Sequence, residues 1–474
     1  MNSEKHKKQQ SLKIIISEAL MVLVVIITVV ILALIVSGYW INSDFEVERQ
    51  GMLQVASVPT GANVTIDGES SPWLQRTNTS KVLPAGEHTV TLTKDGYDSW
   101  TKTINIEEGL LYRLNYPRLF LQNRTTETVM DTTATTMAFV SANHNSMVLA
   151  NNTTKWKFIK LDSDHPEPKT INISNLFPDS RSNDESNSSV FMDLISEATW
   201  DNDASHLLLK VEKSDGFYWV LLDVNHPEKS INLSKEFVGD FTKVKILDNS
   251  ANSLLVIQNQ NLRRIDVSNR SISAIIAENV TDFDHYDNEI VFSALSERSD
   301  TGNNSQNEYY VGILKIGDSN TIKVITSFSP LQAVISKFYD EKYLTIIENT
   351  KATLYKKTDF KEYASYDLDF TPQSVNVGND GGFIIMQADS QIATIDMEAK
   401  TLRKWQIKGK TSGWLDNNML YTVSDGELIV YDYDGFNERM IAKNVSSRFP
   451  VSVTENKWLY YFSDNNLVRE NLTE

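Results

Sequence analysis

The sequence contains no cysteine in its 474 residues. That absence excludes disulfides, thiolate zinc sites, iron–sulfur clusters and cysteine nucleophiles. Histidine is scarce: His6, His88, His144, His165, His206, His226 and His285 are the full set, and no two stand at metal-ligand spacing. There is no G-x-S-x-G elbow for a serine nucleophile and no G-x-x-x-x-G-K-[ST] or G-x-G-x-x-G loop to cradle a phosphate. No dense calcium-loop pattern is present either. From these absences no catalytic, cofactor-binding or metal-binding residue is assigned, and no cofactor is expected. Positive charge is also in deficit, with 45 Lys and Arg against 62 Asp and Glu, a net −17. A nucleic-acid partner is not expected, because binding phosphates needs basic patches that displace counterions. The same imbalance disfavours electrostatic docking on anionic lipid.

Long apolar runs are absent everywhere except at one place. Ala19–Val36 has no charge, proline or glycine. At about 1.5 Å per residue, such a run covers most of the roughly 30 Å hydrocarbon core of a bilayer. Tyr39 and Trp40 follow it, where amphipathic aromatics favour the membrane interface. Lys5, Lys7, Lys8 and Lys13 precede it against Glu4 alone. The positive-inside rule therefore predicts an uncleaved signal anchor over residues 14–40, a cytoplasmic tail over 1–13 and an extracytoplasmic remainder. A cleaved signal peptide fits less well, since its apolar core is usually shorter and Ser37-Gly38-Tyr39-Trp40 is a poor cleavage site. Glu18 reads as a carboxylate reaching toward the headgroups. With the tail's three net positive charges and Glu18 set aside, residues 41–474 carry −19. A cysteine-free ectodomain of that size must be held together by its core, and it is large enough to be.

Residues 41–50 read as a stalk. Beyond it, strict alternation marks Gly51–Val58, Asn63–Ile66, Glu87–Thr93 and Trp100–Ile106, broken at Asp67-Gly68, Lys94-Asp95-Gly96 and Gly109. A period of two predicts half-buried antiparallel strands. Pro59-Thr60-Gly61-Ala62 is followed by Val64, Ile66, Asp67 and Gly68, then by Leu83-Pro84-Ala85-Gly86-Glu87-His88 with Val90 and Leu92, and by Gly96-Tyr97. In order and spacing these residues resemble the PEGA domain family, with Thr60 in place of the family's glutamate. The resemblance implies a small extracytoplasmic β-sandwich over 51–118 on a membrane-anchored or surface protein, and no chemistry. His88 reads as a surface or packing histidine.

The remainder, 119–474, repeats. Leu161–Ser174 and Leu222–Ser234 are each a strand ending in Asp, a His-Pro-Glu turn and a second strand. Looser copies lie at Arg264–Ser273, Thr394–Trp405 and Val430–Ile441, with degenerate ones ending near Ile316 and Lys357 and a last one at Leu467–Asn471. From Asp162 to Asn471 the mean step is about 44 residues, which predicts four-stranded propeller blades. Eight apolar runs precede these copies: Ser146–Ala150, His206–Val211, Ser253–Ile257, Glu289–Phe292, Tyr343–Ile347, Gly382–Met386, Asn418–Val423 and Lys457–Phe462. An eight-bladed β-propeller is the first expectation and seven blades the second. The last unit is one strand short, and a strand near Leu119–Val129 is expected to complete it. Polar insertions at Pro178–Ser189 and Ser296–Glu308 read as surface loops.

Chemistry, if present, would rest on carboxylates around the propeller channel. Asp201 and Asp203 form one local pair, read here as part of a turn. Trp200, Trp219, Trp405, Trp414 and Trp458 read as packing residues that could also stack on sugars. The expected function is a non-catalytic, membrane-anchored, extracytoplasmic scaffold that binds a protein or an envelope polymer. The alternative is an envelope glycan hydrolase or lyase with acids in the channel, which a convergent carboxylate cluster would favour. A sensor is a third reading, and it would need a partner to pass a signal inward.

Overall fold

The computed structural model describes residues 18, 20–33, 39–41, 47–69, 76–176, 195–213, 216–247, 251–296, 307–317, 320–378, 381–408, 411–416 and 418–474. They form two compact units, Met1–Gln122 and Asn123–Glu474. Of the apolar run Ala19–Val36, residues 20–33 are helical and exposed on every side, and the rest lies outside the described residues. Among the described residues no helix is long and apolar enough to cross a membrane.

Among its described residues the first unit has two sheets. In one, β2 (Val47–Val55) pairs antiparallel with β1 (Tyr39–Ile41) and β4 (Thr79–Pro84), and parallel with β7 (Leu111–Leu114). In the other, β3 (Asn63–Ile66), β5 (Gly86–Thr93) and β6 (Trp100–Ile106) are antiparallel neighbours. The predicted alternation is present: Trp100, Lys102, Ile104 and Ile106 are buried while the residues between them are exposed. Lys102 is tolerated there because its Nζ donates to the Tyr116 hydroxyl at 2.7 Å and lies over that ring. Gly51 is required by close approach, since a Cβ on it would meet the Glu107 carbonyl oxygen at 2.3 Å. Three boundaries need correction: Tyr39 and Trp40, expected within the anchor, lie in β1 and pair with Arg49 and Glu48. Residues 47–50 are not stalk: they belong to β2, and β1 pairs with them, so the sheet begins well before Gly51. At the other end Leu119–Leu121 stay with the first unit, because Leu119 N–H donates to Val58 O and Phe120 O accepts from Asp98 N–H.

The second unit contains, among its described residues, eight four-stranded antiparallel sheets in series. Each predicted apolar run is the second strand of one sheet. These strands are buried nearly throughout, as in Ser253–Gln258 and Met419–Ser424, rather than on alternate residues. The reason is that both of their faces are covered. Val148 and Trp156 of the first sheet pack with Leu207 and Leu209 of the second, and further clusters join each sheet to the next as far as the seventh. Tyr460, Phe462 and Leu467 of the eighth then pack on Met147, Leu149 and Ile159 of the first, so the series returns on itself as a propeller-like ring.

The eighth sheet takes its fourth strand from the start of the unit. β8 (Thr126–Asp131) pairs with Asn466–Asn471, close to the expected position but nearer to Asp131. Arg469 donates to Glu127 at 2.8 Å and to the carbonyl oxygens of Ser163 and Asp164, with its guanidinium 4.0 Å from the Trp458 ring centre. Beside it, burial raises the Glu470 carboxyl above its ordinary value, and Arg124, 3.5 Å away, opposes that.

Turn chemistry explains the repeat. Asp223 accepts from the N–H groups of Asn225 and His226, Asp266 from Asn269, and Asp396 from Glu398 and Ala399. In these three copies the strand-terminal Asp therefore caps the next turn. His226, and His165 whose N–H donates to Ser163 Oγ, are turn residues as expected. The insertion at Pro178–Ser189 lies outside the described residues. Of Ser296–Glu308 only the ends are described, and Ser296 pairs with Glu308 across a hairpin.

Joining the two partners of the ring closure covalently tests its register. In this cysteine-free chain, Thr128→Cys with Val468→Cys should form a disulfide on oxidation, because the two residues face each other. The bond should stabilise the unit by about 2–4 kcal/mol, read as a higher denaturant midpoint that reductant reverses.

Candidate axial binding site

The first strand of each sheet faces the centre of the ring. Side chains on one face of these strands join the apolar layers between sheets, and polar side chains collect on the other. Five first strands, Ile195–Trp200, Phe241–Ile246, Val280–Tyr286, Leu331–Phe338 and Ser374–Val377, line a cavity of about 730 Å³. A second cavity of about 290 Å³ is lined by the first, sixth, seventh and eighth sheets.

The wall of the larger cavity carries a ladder of opposite charges. Lys243 and Lys245, two apart on one strand, reach Asp282 and Asp284, two apart on the next. Alternation makes this geometry automatic: residues i and i+2 share a face, and Val244 and Phe283 turn into the core. The Lys245–Asp284 pair is 2.7 Å, and Asp284 also accepts from the Ile335 N–H at 3.4 Å. Glu197 is held by Lys210 at 2.9 Å. Thr199, Gln332, Gln373, Ser374 and Asn376 add neutral donors and acceptors to the wall. His285 follows Asp284; burial pushes its imidazole below the ordinary value, against the pull of Asp284. The charged wall is thus internally neutralised. Its carboxylates, Glu197, Asp282 and Asp284, each accept from a lysine ammonium.

In the smaller cavity Trp414, Tyr421, His144 and Asp416 converge. His144 has φ of 58° and is tied down from the eighth sheet: Nδ1 lies 3.1 Å from Ser452 Oγ, and its carbonyl accepts from Thr454 Oγ1 at 2.5 Å. Burial lowers the His144 imidazole, with Asp416 opposing. The Tyr421 hydroxyl accepts from the Val451 N–H at 3.2 Å.

The residues singled out from the sequence fall elsewhere, with one exception. Asp201 is buried and accepts four hydrogen bonds, from the Ser205 N–H and Oγ and from the His206 N–H and Nδ1, all within 3.0 Å. Burial alone would raise its carboxyl; these bonds outweigh burial and hold it below the ordinary value. Asp203 is exposed, so the two do not converge, and the turn reading stands. Trp219 is buried with Nε1 donating to Phe241 O at 2.7 Å, Trp200 packs between the first two sheets, Trp405 lies against Tyr431, and Trp458 lies under Arg469. Trp414 is the exception that fronts a cavity. His88 sits in the first unit with Nδ1 2.7 Å from Asp67 and Nε2 2.8 Å from Pro84 O. What sequence reading missed was the ladder. Its signal was present as Lys-Val-Lys and Asp-Phe-Asp at matching places in successive repeats.

Residues 50–118 match the PEGA domain family. No curated protein matches the chain. Among solved structures the chain is similar to an oligogalacturonate lyase in complex with manganese, at 13% identity over 59% of this chain and 89% of that one, with a TM-score of 0.40. It is also similar to oligogalacturonate lyase from Vibrio parahaemolyticus, at 9% identity over 74% and 98%, with a TM-score of 0.40. A third is the β-propeller domain of Cps50 (Swd1) from Myceliophteria thermophila, at 8% identity over 75% and 99%, with a TM-score of 0.39. The activities of these proteins carry no argument for this one.

The turn reading of Asp201 has a pH signature. A carboxyl whose folded value lies below 3.8 adds stability that is complete above that value and is lost as pH falls through the folded one. Asp201→Asn should therefore cost about 1–3 kcal/mol at neutral pH and flatten the acid limb of the unfolding curve. Urea titrations of both proteins from pH 7 down to acid denaturation measure this.

Proposed function

We propose that this chain is a non-catalytic binding protein, anchored in a membrane by its N-terminal apolar segment. It displays an eight-bladed propeller on the extracytoplasmic side to hold an uncharged polar polymer, such as a neutral envelope glycan, at the propeller axis. The observation that carries this reading is the axial cavity, walled by paired charges and side-chain amides. A wall of amides, two hydroxyls and neutralised charges offers many hydrogen bonds without a field of one sign. The ectodomain's net −19 repels polyanions, which leaves uncharged polar chains as the class best suited. Asp282 and Asp284, each paired with lysine, are poorly placed as a general acid and base.

The anchor reading rests on the uninterrupted apolar run Ala19–Val36 and the lysines before it. Within it residues 20–33 form a helix whose only hydroxyl, Thr28 Oγ1, donates to Val24 O at 2.8 Å. A hydroxyl satisfied inside its own helix is what a nonpolar surround demands.

A photo-crosslinking residue in place of Gln332, in the full chain on its native cells, tests the proposal. Adducts bearing neutral glycan, absent when the residue replaces exposed Val238, are the expected result. A single protein as the only adduct would replace the polymer with a protein partner. Steady release of cleaved glycan, abolished by Asp284→Asn, would overturn the non-catalytic reading.

A further inference from the structure

The larger sheet of the first unit has an outer face that breaks its own pattern. Outward positions at one end of the sheet are polar: Gln54 stands between Ser80 and Arg113 on the flanking strands. Two residues along β2, Met52 stands between Val82 and Leu111 in the same register, and Leu110 adjoins them. Met52, Val82 and Leu110 are 42, 49 and 51% exposed. Single exposed apolar residues are ordinary, but a row across three adjacent strands is a patch that asks for a cover.

The path of the chain names the cover. The described helix ends at residue 33 and β1 begins at Tyr39. Six residue steps span at most about 20 Å even when fully extended. Tyr39 pairs with Arg49, so the chain enters this sheet only three positions along β2 from Met52, about 10 Å. The apolar row therefore lies within about 10 Å of where the chain enters the sheet, just beyond Gln50 and the exposed Arg49–Glu108 ion pair. We infer that this row rests on the lipid surface, seating the PEGA domain directly on the bilayer. The inference depends on the anchor reading above. The acidic ectodomain cannot be drawn to lipid by charge, so the contact is apolar insertion at the interface, indifferent to salt and to anionic lipid.

The absence of cysteine makes the test direct. Val82→Cys, Leu32→Cys and Val238→Cys variants of the full chain are each labelled with an environment-sensitive fluorophore and reconstituted in phosphatidylcholine vesicles carrying doxyl-labelled lipid. Val238, 92% exposed on the second unit, is the control. Quenching at 32 and 82 but not at 238, unchanged between low and high salt, is expected. Adding Met52→Ser and Leu110→Ser should cut quenching at 82 by about twofold or more while leaving that at 32 intact. Quenching at 32 without quenching at 82 overturns the seating and leaves the anchor standing. No quenching at 32 overturns both. Equal quenching at 82 and 238 overturns the seating as well, because the contact would not be confined to the row.

Discussion

The second unit depends on one strand pairing. β8, at the start of the unit, supplies the outer strand of the last sheet, whose other three strands end the chain. The second strands are buried against neighbouring sheets, so a missing neighbour would leave an apolar face in water. An open series would leave two large apolar faces and a free strand edge, which invites aggregation. Closure by β8 removes both at once. It is also the place where buried charge collects: Arg469 is held by Glu127 and two carbonyl oxygens, and Glu470 is buried beside Arg124. Truncating one partner of such a cluster leaves the other uncompensated, so its geometry pins the register of the closing strand.

The axial cavity follows from the same constraint. Packing sheets face to face in a ring places the outer strands far apart and the first strands close to an axis. The apolar layers form between sheets, where Trp156, Trp219 and Phe283 sit, and the axis is left to side chains that tolerate water. Lysine and aspartate on neighbouring first strands satisfy each other there. Ion pairs of this kind add little stability when partly solvated. What they supply is a fixed, neutral, hydrogen-bonding wall. The position of His144 makes the same point in the smaller cavity: a residue in a left-handed turn of the first sheet is locked by Ser452 and Thr454 of the eighth, so closure also shapes that pocket.

The first unit obeys simpler rules. Its alternating strands bury one face, and its turns are set by glycines and Asp67, so its family and the strands Asn63–Ile66, Gly86–Thr93 and Trp100–Ile106 were legible. Its start was not. The segment before Gly51 is too short and too mixed to show a period, and β1 is a strand only because β2 lies beside it.

In the second unit the amino-acid sequence by itself determined the strands and their count per repeat. A strand covered on both faces is apolar at most positions, and a capped turn needs its Asp, so both leave local marks: the eight apolar runs and the recurring Asp223, Asp266 and Asp396 turns. The sequence also determined that Asp201 and the His-Pro-Glu histidines would serve turns, because their partners lie within five residues. Only the tertiary structure decided which residues meet at the axis. Lys245 and Asp284 are 39 residues apart, and His144 and Ser452 are 308 apart. No local pattern carries such distances; they are set by how many sheets intervene and by the closing strand that turns a series into a ring.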